Sequence, residues 1–284
     1  MTKLLALIDA SIYAQSVCDH AAWAAERTGA SVEIVHVLGR RDVSSAPGAD
    51  YTGNLAADAR DTLLAELASL DEQKAKLAQK RGRLILEQAK QNLEGKVHGV
   101  TTKLRHGDLL ETVAEFQVDA DLIVIGKRGE AADFAKLHLG SNLERVARST
   151  TKPVLVASRA FRPIRRALIA FDGGASALKA IDALASGPLL TGTECLLLTV
   201  GAETTEARRR LDDAVAKLTA AGHSATGEIR PGQPEDVIAK AVESDAIDLL
   251  VMGAFGHSRI RALFIGSTTV ETVRSCKIPV LLFR

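Results

Sequence analysis

Short apolar runs alternate with stretches of helical periodicity along this chain, most clearly after residue 165. Continuous apolar runs that are bounded by turn residues predict buried strands, and the amphipathic stretches between them predict helices. Such alternation is typical of a parallel sheet that is covered by helices on both faces. The strands predicted for this half are residues 167–171, 195–200, 224–229, 249–252 and 280–283, and the predicted helices are residues 175–186, 205–221, 235–244 and one that begins near Ser267.

The same pattern occurs twice in the chain. Residues 121–126 match residues 248–253, and residues 140–141 match residues 266–267. A repeat of this length predicts a tandem duplication with a junction near residues 159–165. We therefore predict an α/β fold of two Rossmann-like, doubly wound domains, each with a five-stranded parallel sheet, at residues 1–158 and 165–284.

The first half contains an insertion, at about residues 39–95, between its second and third predicted strands. A loop rich in Gly, Ser, Asp and Pro opens it, and residues 55–93 have the composition of a long helix or a helical hairpin. Four leucines in this stretch are one heptad apart, but the residues four positions after them are mostly polar, which does not favour a paired coiled coil. We predict that this leucine stripe packs on the sheet or on the other half, and that the insertion regulates rather than catalyses. The leucines are Leu63, Leu70, Leu77 and Leu84.

Bulk composition narrows the functional classes. The 284 residues carry a net charge of +1 without a long basic run, so neither nucleic acid nor an anionic membrane is an expected partner. No run approaches the roughly 20 apolar residues that a membrane span needs. The three cysteines, Cys18, Cys195 and Cys276, are far apart and lie in apolar contexts, which predicts buried thiols in a reducing, cytoplasmic setting.

A glycine frame follows the fourth predicted strand of the second half. Gly253 and Gly256 follow that strand, and after a spacer of nine residues Gly266-Ser267-Thr268 stands at a predicted helix start. Glycines let backbone N–H groups approach an anion closely, and a helix N-terminus adds unpaired donors and a positive dipole end. The alternative is an ordinary glycine turn. Asp172 ends the first strand of the same half, so it should meet Gly253 at the switch point of the sheet.

These residues resemble the universal stress protein family. The resemblance rests on the glycine frame, on Asp172 in the segment 171–176, and on the closing segment 277–283, and it covers both halves. It implies a tandem member whose halves form a pseudo-dimer through their last strands, and it leaves a homodimer open. It also implies a cytoplasmic stress-response protein that binds ATP, with AMP, ADP and Mg²⁺ as further candidates.

The resemblance assigns a role to each matching residue of the second half. Asp172 would accept hydrogen bonds from the adenine or the ribose, although a helix N-cap is the structural alternative for this residue. Gly253 and Gly256 would admit the ribose and phosphates, and Gly266, Ser267 and Thr268 would hold the phosphates. His257, Arg259 and Arg261 lie in the loop between them and either bind phosphate or form a solvated basic surface.

The first half matches this pattern less well. Its spacer is one residue longer, Asn142 stands in place of the threonine, and Glu130 stands where the second half has His257. A carboxylate there would repel a triphosphate, which Lys127 and Arg128 could offset. We therefore expect ATP chiefly in the second half. The weaker first-half site would comprise Asp9, Gly126, Gly129, Gly140 and Ser141.

Two other functional classes stay open. One is a nucleotide-free scaffold that binds protein partners, and the other is a slow ATPase or a protein that phosphorylates itself. The chain lacks the Walker, dinucleotide and HExxH motifs, and its histidines are not spaced as metal ligands. We therefore expect no catalytic residues and no metal site, with adenine nucleotide and unidentified proteins as partners.

Overall fold

A computed structural model describes residues 1–39, 57–129, 141–254 and 267–284 of the chain. Within these ranges it contains ten strands and eight helices. The strands are β1 (Lys3–Ile8), β2 (Ser31–Leu38), β3 (Val100–His106), β4 (Leu122–Gly126), β5 (Val154–Ala157), β6 (Arg166–Ala170), β7 (Glu194–Val200), β8 (Ser224–Arg230), β9 (Leu249–Gly253) and β10 (Val280–Phe283). The helices are α1 (Ala14–Thr28), α2 (Ala57–Leu93), α3 (Leu109–Phe116), α4 (Ser141–Ser149), α5 (Ala175–Ser186), α6 (Thr205–Ala220), α7 (Pro234–Ser244) and α8 (Ser267–Ser275).

All ten strands form one sheet with the order β3-β2-β1-β4-β5-β10-β9-β6-β7-β8. Within each half the neighbouring strands are parallel, in the doubly wound order 3-2-1-4-5. The predicted α/β class and the five parallel strands of each half are confirmed. In each half the order reverses at the first strand, between β1 and β4 and between β6 and β9, and these are the positions where such sheets bind ligands.

The two halves join through their last strands. β10 pairs with β5 in antiparallel fashion, with Val280 opposite Val156 and Leu282 opposite Val154. These short strands are fully apolar and buried. Each would be an exposed sheet edge in an isolated half, so pairing covers both edges. This arrangement agrees with the predicted pseudo-dimer.

Two apolar layers cover the sheet, one on each face. One layer packs α1, α2, α5 and α6 on one side, and the other packs α3, α4, α7 and α8 on the opposite side. Strand residues alternate between these layers, so that Leu4 and Ala6 face one and Leu5 and Leu7 face the other. Helices therefore shield both faces of the sheet from solvent, which explains the continuous apolar runs in the sequence.

The insertion forms a single helix in its described part, not a hairpin. Helix α2 occupies the connection between β2 and β3, the same place that α6 occupies between β7 and β8. Leu86, Ala89 and Leu93 of α2 are buried, as are Leu211, Ala214 and Leu218 of α6, which have the same spacing. The insertion is therefore an extension of an ordinary crossover helix at its N-terminal end.

The prediction for the leucine stripe is wrong. Leu70, Leu77 and Leu84 are 49%, 67% and 63% exposed, so they pack neither on the sheet nor on the other half. The face that packs is the one that carries Leu86, Ala89 and Leu93, together with Gly82, whose added Cβ would lie 2.7 Å from Leu104 Cδ1. The heptad spacing and the buried face of α2 belong to different sides of the helix.

All three cysteines are free, as the sequence predicts. Cys18 and Cys195 are buried, whereas Cys276 is half-buried. Burial raises the pKa of the Cys18 thiol to about 12 and that of the Cys195 thiol to about 11, so both stay protonated at neutral pH. In the described part of the chain, no helix has the length and apolar character needed to cross a membrane.

Candidate functional site

The second-half site lies where β6 and β9 end side by side. Ala170 of β6 is opposite Met252 of β9, so Asp172 and Gly253 reach nearly the same level of the sheet edge. The exposed Asp172 carboxylate accepts the backbone N–H of Gly174 at 2.8 Å, and this turn opens α5. Gly174 is the N-cap of α5, so Asp172 supports the cap from two residues earlier. A carboxylate can accept more than one hydrogen bond, so the ligand role and the structural role are compatible.

The first turn of α8 is tied to the end of β9. Thr269 lies in that turn, is buried, and donates its hydroxyl hydrogen to the carbonyl oxygen of Gly253 at 3.3 Å. The next residue, Ala254, donates its N–H to the carbonyl of Phe283 at 2.7 Å and so ties the strand end to β10. The N-terminus of α8 is therefore tied to the end of β9, and the first N–H groups of any helix lack partners within the helix.

Packing alone favours glycine at position 253. A Cβ added there would lie 2.9 Å from the Cβ of Ser176, which belongs to the first turn of α5. Real Cβ contacts are longer than this, so a larger residue would push α5 away from the sheet. The sequence pattern alone did not reveal this close approach of strand and helix. It is a second reason for glycine here, separate from the predicted access of a ligand to the backbone.

A cation stands beside this site that sequence reasoning missed. Arg210 extends from α6 over Gly173, where an added Cβ would lie 3.5 Å from Arg210 Cδ. Gly173 has a φ of +71°, a conformation that glycine adopts without strain. The guanidinium also contacts Glu206 with its Nε at 2.7 Å from the carboxylate, which holds it near the turn. A planar guanidinium in this position suits a phosphate or a carboxylate.

Several predicted residues lie outside the described parts of the chain. Ser267 and Thr268 begin α8 as predicted, but only their backbone is described. The same holds for Ser141, which begins α4. The others that fall outside the description are Gly256, His257, Arg259, Arg261 and Gly266 of the second half, and Glu130 and Gly140 of the first.

The first half brings its predicted residues together at the matching point. Asp9 accepts the backbone N–H of Ser11 at 3.0 Å, in the same kind of turn as Asp172. A Cβ added to Gly129 would lie 2.9 Å from Asp9 Oδ2 and 4.0 Å from Asn142 Nδ2. The chain after β4 therefore folds directly against the carboxylate, whose two oxygens already face protein atoms.

A buried aromatic side chain distinguishes the first half. Tyr13 occupies the position that Ser176 has in the second half, and it is 9% exposed. A Cβ added to Gly126 would lie 2.8 Å from Tyr13 Cβ and 3.4 Å from its Cγ. The two halves thus share the close approach of strand and helix, but the first places a phenol ring where the second has a half-buried hydroxymethyl group.

Lys127, which the sequence indicates as a residue that could offset Glu130, makes a contact with the other half. Its Nζ donates to the carbonyl oxygen of Cys276, in the other half, at 2.5 Å. Burial lowers the pKa of Lys127 to about 8, although the ammonium stays mostly protonated at neutral pH. Lys127 therefore links the two halves, whereas Glu130 lies outside the described residues.

Sequence reasoning missed Tyr13 and Arg210 for different reasons. The signal for Tyr13 is present in the sequence, because an alignment of the two halves places Tyr13 opposite Ser176. That comparison would have shown a large aromatic residue at the site of the first half only. Arg210 carries no such signal. It lies on α6 directly after two other arginines, and only the packing of α6 shows which of the three reaches the strand ends.

The geometry agrees with the comparison to known families. The universal stress protein family matches residues 1–158 and again residues 163–284. The chain belongs to the universal stress protein family. It is a tandem member of this family of stress-response proteins, with two family domains in one chain.

Known relatives match this chain over its whole length. The chain is 38% identical over 287 aligned positions to a universal stress protein of Synechocystis sp., and the match covers all of both chains. The crystal structure of a universal stress protein from Archaeoglobus fulgidus matches 99% of this chain and 96% of its own, with a TM-score of 0.68 at 18% identity. A putative universal stress protein from Pseudomonas aeruginosa matches 100% and 93%, with a TM-score of 0.63 at 18% identity. At this identity the two structures establish the fold.

Proposed function

We propose that this protein binds adenine nucleotide at the second-half site and that nucleotide occupancy changes its conformation or its choice of protein partners. ATP is the expected ligand, ahead of ADP and AMP. One observation carries the proposal: the Thr269–Gly253 hydrogen bond ties the first turn of α8 to the end of β9, and β9 pairs with β6, the strand that leads to Asp172. Such a place presents donors for phosphates and a carboxylate for the nucleoside on one sheet edge.

The charges around the site support a phosphorylated ligand. Arg210 adds a guanidinium above Gly173, and the positive end of the α8 dipole adds partial charge. Asp172 suits the other end of the ligand, because a carboxylate accepts hydrogen bonds from ribose hydroxyls or an exocyclic amine. A Mg²⁺ ion would enter with the phosphates and their water shell.

The first half is the weaker candidate in this proposal. Tyr13 fills space at its strand ends, and Asp9 is covered by Gly129. The Lys127 ammonium donates a hydrogen bond to the carbonyl oxygen of Cys276. The buried and half-buried free thiols suit a reducing compartment, so we place the protein in the cytoplasm.

A matched pair of variants tests the proposal. Asp172→Ala and Asp9→Ala each remove one carboxylate that accepts a turn N–H, at 2.8 Å and 3.0 Å, so their costs in stability should be alike. We expect Asp172→Ala to weaken ATP binding roughly 10- to 100-fold, as for lost hydrogen bonds to a charged group, and Asp9→Ala to have little effect. Isothermal titration calorimetry gives both affinities.

Two further measurements separate the alternatives. Mass spectrometry of nucleotide released from the purified protein distinguishes a binder from a nucleotide-free scaffold. An ADP-release assay distinguishes a binder from a slow ATPase. The proposal fails if no nucleotide binds, and the choice of half fails if Asp9→Ala is the variant that abolishes binding.

A further inference from the structure

Helix α2 extends far beyond the part that packs on the sheet. Among the residues of α2 whose burial is described, 62–93, the buried ones all belong to its C-terminal third; they are Gly82, Leu86, Ala89 and Leu93. The residues before them add about 35 Å of helix at 1.5 Å per residue. That extension carries the leucine stripe, defined as Leu63, Leu70, Leu77 and Leu84.

The leucine stripe is an exposed apolar row on one side of the helix. Leu70, Leu77 and Leu84 are 49%, 67% and 63% exposed, and Leu63 is half-buried. Single exposed leucines are ordinary, but an aligned row of them marks an interaction surface. Residues seven apart drift only slightly around a helix, so the four side chains form one continuous seam.

Charge is segregated along the same helix. Residues 58–72 contain five acidic residues and one arginine, whereas residues 74–83 contain five basic residues and no acidic one. The sign changes between Glu72 and Lys74. The centre of the leucine stripe, midway between Leu70 and Leu77, falls at the same place.

We propose that two copies of this chain dimerise by antiparallel pairing of their α2 extensions along the leucine stripe. A twofold axis at residues 73 and 74 would place Leu70 against the partner's Leu77 and Leu63 against the partner's Leu84. The acidic part of each helix then lies along the basic part of the other. A single contact of this kind is isologous, so it closes as a dimer.

The charges that flank the stripe fit this register. Glu66 and Lys80 are both exposed, and each stands four residues before a stripe leucine, on the same side of the seam. The twofold axis brings this side of one helix against the same side of the other. Glu66 therefore faces the partner's Lys80, and the ion pair forms twice.

Parallel pairing of the same helices is disfavoured. It would align acidic residues with acidic ones and basic with basic, which opposes association. It would also need a second apolar column, but Leu67 is followed in that column by Lys74 and Arg81. In the antiparallel register, Leu67 meets the aliphatic stem of the partner's Arg81. The short seam predicts a weak dimer, with dissociation in the micromolar range.

Charge reversal in the full-length chain tests this proposal. Sedimentation equilibrium should show a monomer–dimer equilibrium for the unmodified protein. Glu66→Lys and Lys80→Glu should each weaken dimerisation about tenfold, because each breaks two ion pairs and creates like-charge contacts. The double variant should recover the original affinity to within about threefold. The two positions are too far apart on one helix to interact, so recovery can come only from contact between chains.

Three further variants separate this contact from misfolding. Leu77→Asp should abolish the dimer. Leu178→Asp, at a leucine of α5 that is 47% exposed, is the matched control and should leave it intact. Lys74→Leu should tighten it, because it removes like charges at the axis and adds apolar contact. A chain that stays monomeric at high micromolar concentration, or a double charge reversal that recovers nothing, would overturn the proposal.

Discussion

The two strand-end sites share a backbone frame and differ in the side chains that line it. In both, an aspartate accepts the N–H of the residue two positions later, and the neighbouring strand of the sheet ends in a glycine that lies close to the start of a helix. The first half has a buried tyrosine in that turn and the second has a serine. The duplicated halves therefore share the backbone geometry at their strand ends, and the proposed difference in nucleotide binding depends on the side chains that line them.

Substitution of Ser176 by tyrosine, the residue at the matching position of the first half, should have the largest effect on ATP affinity. Ser176→Tyr copies the first-half arrangement. A Cβ added to Gly253 would lie 2.9 Å from Ser176 Cβ, and one added to Gly126 would lie 2.8 Å from Tyr13 Cβ, so the backbone frame accommodates either side chain. We expect ATP affinity to fall at least about 100-fold, near 2.7 kcal/mol, because the ring would occupy the ligand's space. Calorimetric titration measures this.

Tyr13→Ser is the reciprocal variant. It should leave second-half binding unchanged and cost some stability, because it removes a buried aromatic side chain. If Ser176→Tyr binds ATP normally, the aromatic side chain does not explain the difference between the halves.

Valine at the strand-end glycines should cost stability in both halves alike. Gly126→Val and Gly253→Val each force a side chain against the first turn of a helix, at 2.8 Å and 2.9 Å from its Cβ. We expect each to lower the free energy of unfolding by about 1–3 kcal/mol, as for other overpacked sites. Urea unfolding measures both. A fully stable Gly253→Val variant that cannot bind ATP would instead assign this glycine to ligand access alone.

Lys127 of the first half should make the free energy of unfolding depend on pH, whereas an exposed lysine of the second half should not. Lys127 has its pKa lowered by burial to about 8, whereas the unfolded chain keeps about 10.5. The unfolded state therefore binds more protons between these values, and stability rises with pH across that window, while below pH 8 the burial cost is fully present. Relative to Lys127→Met, the unmodified protein should gain about 1 kcal/mol there, after allowance for partial exposure.

The matched control is Lys179→Met, which alters an exposed lysine of the second half. Its stability should follow that of the unmodified protein at every pH. Equal pH profiles for Lys127→Met and the unmodified chain would contradict a buried Lys127.

The strands could be predicted because helices cover both faces of the sheet. A strand covered on both sides must be apolar throughout, so β4, β6 and β9 stand out in the sequence. The pairing of β5 with β10 was also predictable, since each is short, apolar and otherwise an open edge.

The orientation of α2 could not be predicted from its leucines alone. A heptad repeat shows which side chains lie on one side of a helix, but not what that side faces. The better signal was the comparison with α6. Leu86, Ala89 and Leu93 repeat the spacing of Leu211, Ala214 and Leu218, which identifies the packed end of the helix and leaves the stripe outside.

The side chains of the candidate site were only partly predictable. Asp172 and Gly253 lie at strand ends, where sequence pattern and sheet topology together place them. Arg210 reaches the site from the first half of α6, and which of its three consecutive arginines does so depends on the rotation of that helix against the sheet.

The antiparallel pairing of β5 with β10 can form only after the whole second half has been synthesised. β10 follows all other described strands in the chain, yet it lies at the centre of the finished sheet. While the second half is being translated, the completed first half presents β5 to the cell as a bare apolar edge. The nascent chain is thus open to wrong pairing until its own later half arrives, and chaperone protection is needed most during that interval.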